Sequence, residues 1–158
     1  MFPMANKIYK LKIEEGIPDE YFIAIHSTLE AYQIAYYINK QNKILLKRKK
    51  DFNAEKKKGS FYLFEWKDIY SELRCQLISN KFIYESYNFE VNSNRLFEFP
   101  ERNEVYLISE FKEADFFIKS TNLEILKNIK IQLNNFSMVM TAYNVYPNNK
   151  TRMDLIFN

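Results

Sequence analysis

Apolar residues recur at every second position in several stretches of this chain and at every third or fourth in two others. These two periods divide it into strands and helices. Lys7-Ile8-Tyr9-Lys10-Leu11-Lys12-Ile13 alternates apolar and basic, as a half-buried strand does, and Glu14 to Asp19 is turn chemistry. Tyr21-Phe22-Ile23-Ala24-Ile25 reads as a buried strand. Ser27-Thr28-Leu29-Glu30 has the spacing of a capping box, and behind it Ala31, Ile34, Ala35 and Ile38 share one helical face to about Asn42. Tyr32 and Tyr36 flank that stripe.

Ile44-Leu45-Leu46 leads into Lys47-Arg48-Lys49-Lys50, and Ser60 to Trp66 returns as an aromatic-rich strand. The two make a hairpin whose tip carries Lys56, Lys57 and Lys58. Glu72 to Leu77 alternates as a strand, with Lys81 to Tyr87 expected as its hairpin partner. The stretch from Phe89 to Arg102 is irregular, and strands are expected over 105–108 and 114–119. Thr121-Asn122-Leu123-Glu124 opens a second helix with the stripe Leu126, Ile129 and Leu133, closed by Asn134-Asn135. Ser137 to Tyr146 is a strand, and Leu155-Ile156-Phe157 adds a short terminal one.

A strand–helix–strand order occurs at 21–49 and again at 114–146, with antiparallel strands between. That order predicts an α+β fold, two helices on one face of a mainly antiparallel sheet, in ferredoxin-like or ACT-like succession with inserted hairpins. No linker, repeat or low-complexity tract interrupts it, so 1–158 is expected as a single domain, with 1–6 as a flexible N-terminal extension. Phe61, Leu63 and Glu65 alternate against Tyr62, Phe64 and Trp66, giving a strand with two largely apolar faces. One face is expected over the helices and the other against an inserted hairpin or, in a homodimer, a second subunit.

Composition then removes most catalytic classes. Two glycines leave neither a Walker A loop nor a dinucleotide fingerprint, and one His with one Cys leaves no disulfide, zinc site or multi-histidine centre. No metal or cofactor is therefore expected. The N-terminus has no basic region followed by an apolar core, and no apolar run approaches a bilayer span, so a cytoplasmic protein without a membrane partner is expected. Phe, Tyr, Met, Ile, Asn and Lys supply 83 of 158 residues, against 18 for Gly, Ala, Arg and Pro. This is the imprint of AT-rich codons, which weakens the aromatic and lysine excess as a sign of a nucleic-acid site. The net charge of +3 is likewise modest for a dedicated nucleic-acid binder.

What charge there is clusters. Lys47, Arg48, Lys49, Lys50, Lys56, Lys57 and Lys58 fall within twelve positions and are the candidate partner-binding surface, for an acidic protein or RNA. The same lysines would also protect a sheet edge from aggregation. Cys75 alternates with Leu73 and Leu77 and reads as a buried, inert thiol, with Arg74 on the opposite face. His26 precedes the first helix, where a structural, neutral imidazole is expected. A catalytic role would need Ser27 or Cys75 as nucleophile and an orienting acid.

The segment Ile108-Ser109-Glu110-Phe111-Lys112-Glu113-Ala114-Asp115-Phe116 resembles the signature of the IPExxxVDY family, small bacterial proteins typical of Bacteroidota. Ile108, Glu110 and Asp115 match, while Ser109, Ala114 and Phe116 stand where the signature has Pro, Val and Tyr. Leu29 to Tyr36, Leu77-Ile78-Ser79-Asn80-Lys81 and Thr141-Ala142-Tyr143 are similar to further stretches of that family. The resemblance carries no activity, so Ile108, Glu110 and Asp115 are expected to be architectural. Ser109 would cap a one-turn helix where Pro would sit at its first position, Glu110 would favour its positive end, and Asp115 would accept turn amides.

These observations together favour a non-enzymatic binding or adaptor module. An RNA-binding accessory factor using Lys47–Lys58 and exposed tyrosines is the alternative, or an ACT-like small-ligand sensor with a concave pocket.

Overall fold

Strand formation begins where β-branched and aromatic residues crowd together. A computed structural model describes residues 20–53, 59–87 and 100–146. The elements are β1 (Tyr21–Ser27), α1 (Ala31–Gln41), β2 (Lys47–Asn53), β3 (Ser60–Lys67), β4 (Arg74–Ser79), β5 (Lys81–Ser86) and β6 (Glu101–Tyr106). A one-turn 3-10 helix (Ser109–Phe111), β7 (Phe116–Ser120), α2 (Leu123–Asn134) and β8 (Val139–Val145) complete them. Six strands form one antiparallel sheet in the order β2-β3-β4-β7-β1-β8, and β5 and β6 form a separate ribbon. The fold is α+β, and β8-β1-β7-β4 reproduces the strand order of a ferredoxin-like sheet. β2 and β3 are added beyond β4, and the ribbon is inserted between β4 and β7.

Both helices lie on one face. The stripes Ala31, Ile34, Ala35, Ile38 and Leu126, Ile129, Leu133 are the buried residues of α1 and α2, and they pack on Ile23, Ile25, Cys75, Leu77 and Ile118. A second core fills the opposite face: Phe22, Ala24, Phe61, Leu63, Ile78 and Phe117 are sealed by Leu107, Ile108 and Ala114, with Phe82 and Val105 of the ribbon packed against them. Each large side chain buried there contributes about 1.5–3 kcal/mol of transfer free energy. The second apolar face of β3 is thus covered by the chain itself, where a second subunit was the alternative.

Two asparagines clamp helices to extended segments. Asn39 donates to the Leu46 carbonyl at 3.0 Å and accepts from its N–H at 2.7 Å. Asn134 makes the same two bonds, both 2.8 Å, to Ala142 of the edge strand β8. The opposite edge, β2, exposes Lys47, Arg48, Lys49 and Lys50, and its register shifts between Lys49 and Phe52.

Several expectations move. β5 pairs with β6 and not with β4, because the chain passes straight through Asn80 from the sheet into the ribbon. The first helix is capped by Glu30, not Ser27: Gln33 returns a 2.8 Å bond to the Glu30 N–H, while Ser27 ends β1 with its hydroxyl bonded to the Met138 carbonyl. The second cap is Asn122, whose side chain accepts from the Ile125 N–H at 3.0 Å, one residue beyond Thr121. Ile44 to Leu46 precede β2 outside any strand, and the strand expected at 105–108 spans Glu101–Tyr106. Ser109 is the first residue of its turn rather than the cap, which is Ile108. The strands expected at 7–13 and 155–157, and Lys56, Lys57 and Lys58, lie outside the described residues.

Candidate functional site

β1, β2 and β4 run in one direction, and their carboxyl ends meet the start of α1 and the ribbon at the same end of the sheet. Asn80, wholly buried where β4 becomes β5, organises this end. Its Nδ2 donates to the carbonyls of Phe111 at 2.8 Å and Ala114 at 2.9 Å, and its Oδ1 accepts from the Ile108 N–H at 2.8 Å. Its own backbone accepts from Leu107 N–H and donates to the Asp115 carbonyl. One side chain therefore folds the whole 107–115 loop, and Ile108 is buried as part of that loop.

The loop delivers Asp115. One carboxylate oxygen accepts from the Ser27 N–H at 2.9 Å and the other from the Lys81 Nζ at 2.9 Å, joining segments 88 and 34 residues away. The bond from Asp115 raises the Lys81 ammonium above its ordinary range, against a smaller opposing effect of partial burial. Glu110 is exposed at the start of the 3-10 turn, away from this pair.

A cleft of about 540 Å³ opens beside Asp115 and Lys81. Its floor is Tyr62, Ser79 and Phe116; its walls are Thr28 to Ala31 and the ribbon residues Ile83, Arg102 and Glu104. The ribbon's register puts Lys81, Ile83 and Glu85 on one face with Tyr106, Glu104 and Arg102, toward the cleft, and Phe82 and Tyr84 on the other. Beyond Ser60 and Phe82 the cleft adjoins a second compartment of about 440 Å³, lined also by Asn53, Gly59 and Tyr84. Gly59 has a packing reason: a Cβ there would sit 3.1 Å from the Phe61 ring.

The remaining sequence candidates lie elsewhere. Lys47, Lys49 and Lys50 are exposed on the edge strand, but Arg48 is engaged by Asp51 and stacked 4.8 Å from the Tyr62 ring centre. Cys75 is fully buried, and burial pushes its thiol up to about 12. His26 lies within β1, not at the start of α1, with its Nε2 2.8 Å from the Tyr143 hydroxyl. It joins neither Ser27 nor Cys75 in a hydrogen-bonded catalytic arrangement. Among the described residues no three His, Cys, Asp or Glu side chains cluster as metal ligands, and no helix is long and apolar enough to cross a membrane. No protein-family model, curated protein or solved structure matches the chain.

Sequence reasoning did not single out Asn80, Lys81 or Arg102 as site residues. The available signal was an Asn directly between two alternating runs, read there only as part of a recurrent stretch.

A second polar group occupies the far end of the helix-free face. Lys47, Glu65, Gln76, Lys119 and Phe22 stand side by side across β2, β3, β4, β7 and β1. Glu65 accepts from Arg74 and Gln76, and Lys119, only 4% exposed at its side chain, pairs with Glu20 at 3.2 Å. Burial lowers the Lys119 ammonium against the attraction of Glu20. Burial also pushes Glu65 upward, but bonds from Arg74 and Gln76 prevail and hold its carboxyl below the usual range.

Proposed function

We propose that this chain is a non-enzymatic binding module, an adaptor whose groove between α1, β3 and the β5–β6 ribbon receives a segment of another protein. The observation that supports the reading most is the succession of two compartments, one of mixed lining and one almost wholly apolar, sharing Ser60 and Phe82. Ligand sites are concave surfaces in which apolar walls supply affinity and a few fixed polar groups supply orientation. Here the Asp115–Lys81 pair and Asn80 hold the wall in place, so the groove is preformed and little ordering entropy is lost on binding.

Two further readings have their own support. The exposed row Lys47, Lys49 and Lys50 favours phosphate contacts and hence RNA. The cleft's volume exceeds the roughly 300 Å³ of small-ligand pockets, which favours a sensor.

A photoreactive residue at Ile83, in the groove wall, distinguishes them. Adaptor function predicts a stoichiometric cross-link to one protein in cells, lost in Thr28→Trp, which fills the cleft, and absent from a control label at Tyr70. Cross-linking to nucleic acid alone, or to no macromolecule, ends the adaptor reading.

A further inference from the structure

Charge is sorted along this chain as well as clustered. Six of its 23 cations and none of its 20 acids fall within 31–50, the stretch that forms α1, the turn after it and the start of β2, so the remainder is net acidic. AT-rich codons raise the number of lysines, but they do not separate lysines from acids. Lys40, Lys43, Lys47, Lys49 and Lys50 are exposed and have no ion pair to any described residue, whereas Arg48 is paired with Asp51. The acids that bound the stretch are both engaged, Glu30 by the Gln33 N–H and Asp51 by Arg48 and Ser60. The same stretch exposes aromatic rings. α2 packs on β7, β1 and β8, and α1 packs on β4, so β3 and β2 continue the sheet past the outer flank of α1. Tyr37 marks the inner flank, its ring stacked on Phe136 and its hydroxyl donating to the Gln132 carbonyl. Tyr32 and Tyr36 stand on the outer flank, 63% and 68% exposed, and Lys40 continues their i, i+4 line. Asn39 reaches from that flank to Leu46 at the entry to β2, and Arg48 lies over the Tyr62 and Phe64 rings on the helical side of the sheet. Lys47 and Lys49 turn to the opposite face, where Lys47 stands across from Glu65, so they do not belong to this surface.

We infer that the outer flank of α1 and the adjoining helical face of β2 and β3 bind single-stranded nucleic acid, Tyr32 and Tyr36 stacking on its bases and Lys40 and Lys43 holding its phosphates. The inference leaves the groove aside and rests on the reading of β2 as a phosphate-binding strand. It adds a stacking surface and, with it, the strandedness of the ligand. Side chains four apart on a helix are neighbours about 5–6 Å from each other, so two bases of one strand can reach both rings. Stacking tolerates any base, because every base has a π-face, but it requires bases free of a partner strand. Arg48, held against Tyr62 and bonded to Asp51, offers the outer plane of its guanidinium in the same way. Its charge is shared with Asp51, so the phosphate contacts fall to the unpaired lysines. An acidic protein would use those lysines but has no need of two exposed rings beside them; the rings decide for bases.

The test is anisotropy titration of the full chain against fluorescent oligouridylate and oligothymidylate of about 12 nucleotides, an RNA duplex and heparin, at about 50 mM salt. Single strands are expected to bind more tightly than the duplex, and the tighter of the two identifies the ligand as RNA or DNA. Tyr32→Ala with Tyr36→Ala weakens single strands about tenfold or more and leaves heparin binding unchanged, whereas Tyr32→Phe with Tyr36→Phe keeps the rings and the affinity. Lys40→Gln with Lys43→Gln weakens every polyanion and lowers the slope of log affinity against log salt by about 1.4. These side chains are exposed, and urea unfolding of each variant checks that the fold is kept. A duplex bound as tightly as the single strands overturns the inference. If the tyrosine pair proves indifferent while the lysines matter, the stacking surface fails and the phosphate reading stands. If no nucleic acid binds at this salt, the phosphate reading falls and takes the inference with it.

Discussion

Two ion pairs of lysine with carboxylate, one at each end of the sheet, stand in opposite surroundings. Lys81–Asp115 lies at the open end, with side chains 31% and 26% exposed, framing the groove. Lys119–Glu20 lies on the helix-free face, with side chains 4% and 12% exposed. Both have ordinary geometry, 2.9 and 3.2 Å. The environment reverses their effect on the ammonium: Lys81 is raised by its partner, whereas Lys119 is lowered by burial in spite of its partner. Near water a pair keeps most of its hydration and its attraction is a modest gain. In the interior the lost hydration outweighs the attraction. Beside Lys119, the fully buried Gln76 keeps one amide oxygen without a hydrogen bond, a further cost at the same place.

The largest test of this contrast removes one partner of the buried pair. Lys119→Ala leaves Glu20 without its ammonium and is expected to cost about 3–5 kcal/mol in urea unfolding, whereas the double change Lys119→Met with Glu20→Leu should be neutral or stabilising. A buried pair whose double replacement costs as much as the single one would contradict the account. Next in size is Asn80→Ala, which strands the Ile108 N–H and the Phe111 and Ala114 carbonyls. A loss of about 3 kcal/mol is expected, with hydrogen exchange accelerating first in 107–115. Asp115→Asn gives up the ion pair but keeps an oxygen for the Ser27 N–H, so the loss should stay within about 1 kcal/mol.

The smallest effect is the most discriminating one, because its sign differs between the two lysines. The ordinary lysine value is 10.5. Lys81 is raised, so its contribution is complete below 10.5 and disappears as pH climbs through its raised value. Lys119 is lowered, so between its depressed value and 10.5 the unfolded chain holds more protons and stability rises with pH. Unfolding measured over about pH 9 to 11 should therefore become more steeply falling in Lys119→Met and more steeply rising in Lys81→Met. Equal slopes in the two variants would refute the assignment.

The same contrast explains what could be read in the residues alone. The helix stripes 31-34-35-38 and 126-129-133 are local patterns, set by one element meeting one face, and they reappear residue for residue. The lysines of β2 mark an edge because an edge is the one strand position where a row of charges stays solvated. Pairing at long range has no such local trace. The partnership of β5 with β6 bridges residues 88–99, and Asp115 finds Lys81 across 34 positions. Ser27 has the spacing of a cap, but its N–H is claimed by Asp115 and its Oγ accepts from the Leu29 N–H only two residues on, so the helix starts later.

The two ends of the strand order close by different means, and the Asn134–Ala142 contact has a consequence for self-assembly. β8 has no charged residue, and Met140 within it and Met138 just before it are exposed, so nothing in its side chains discourages another strand. The Asn134 amide offers the same donor and acceptor that an incoming peptide group would. Because it is tethered, it competes at a high effective concentration that no dilute neighbour matches. Among the described residues β8 ends the strand order, and a strand added beside it would first have to displace the Asn134 amide from the Ala142 N–H and carbonyl.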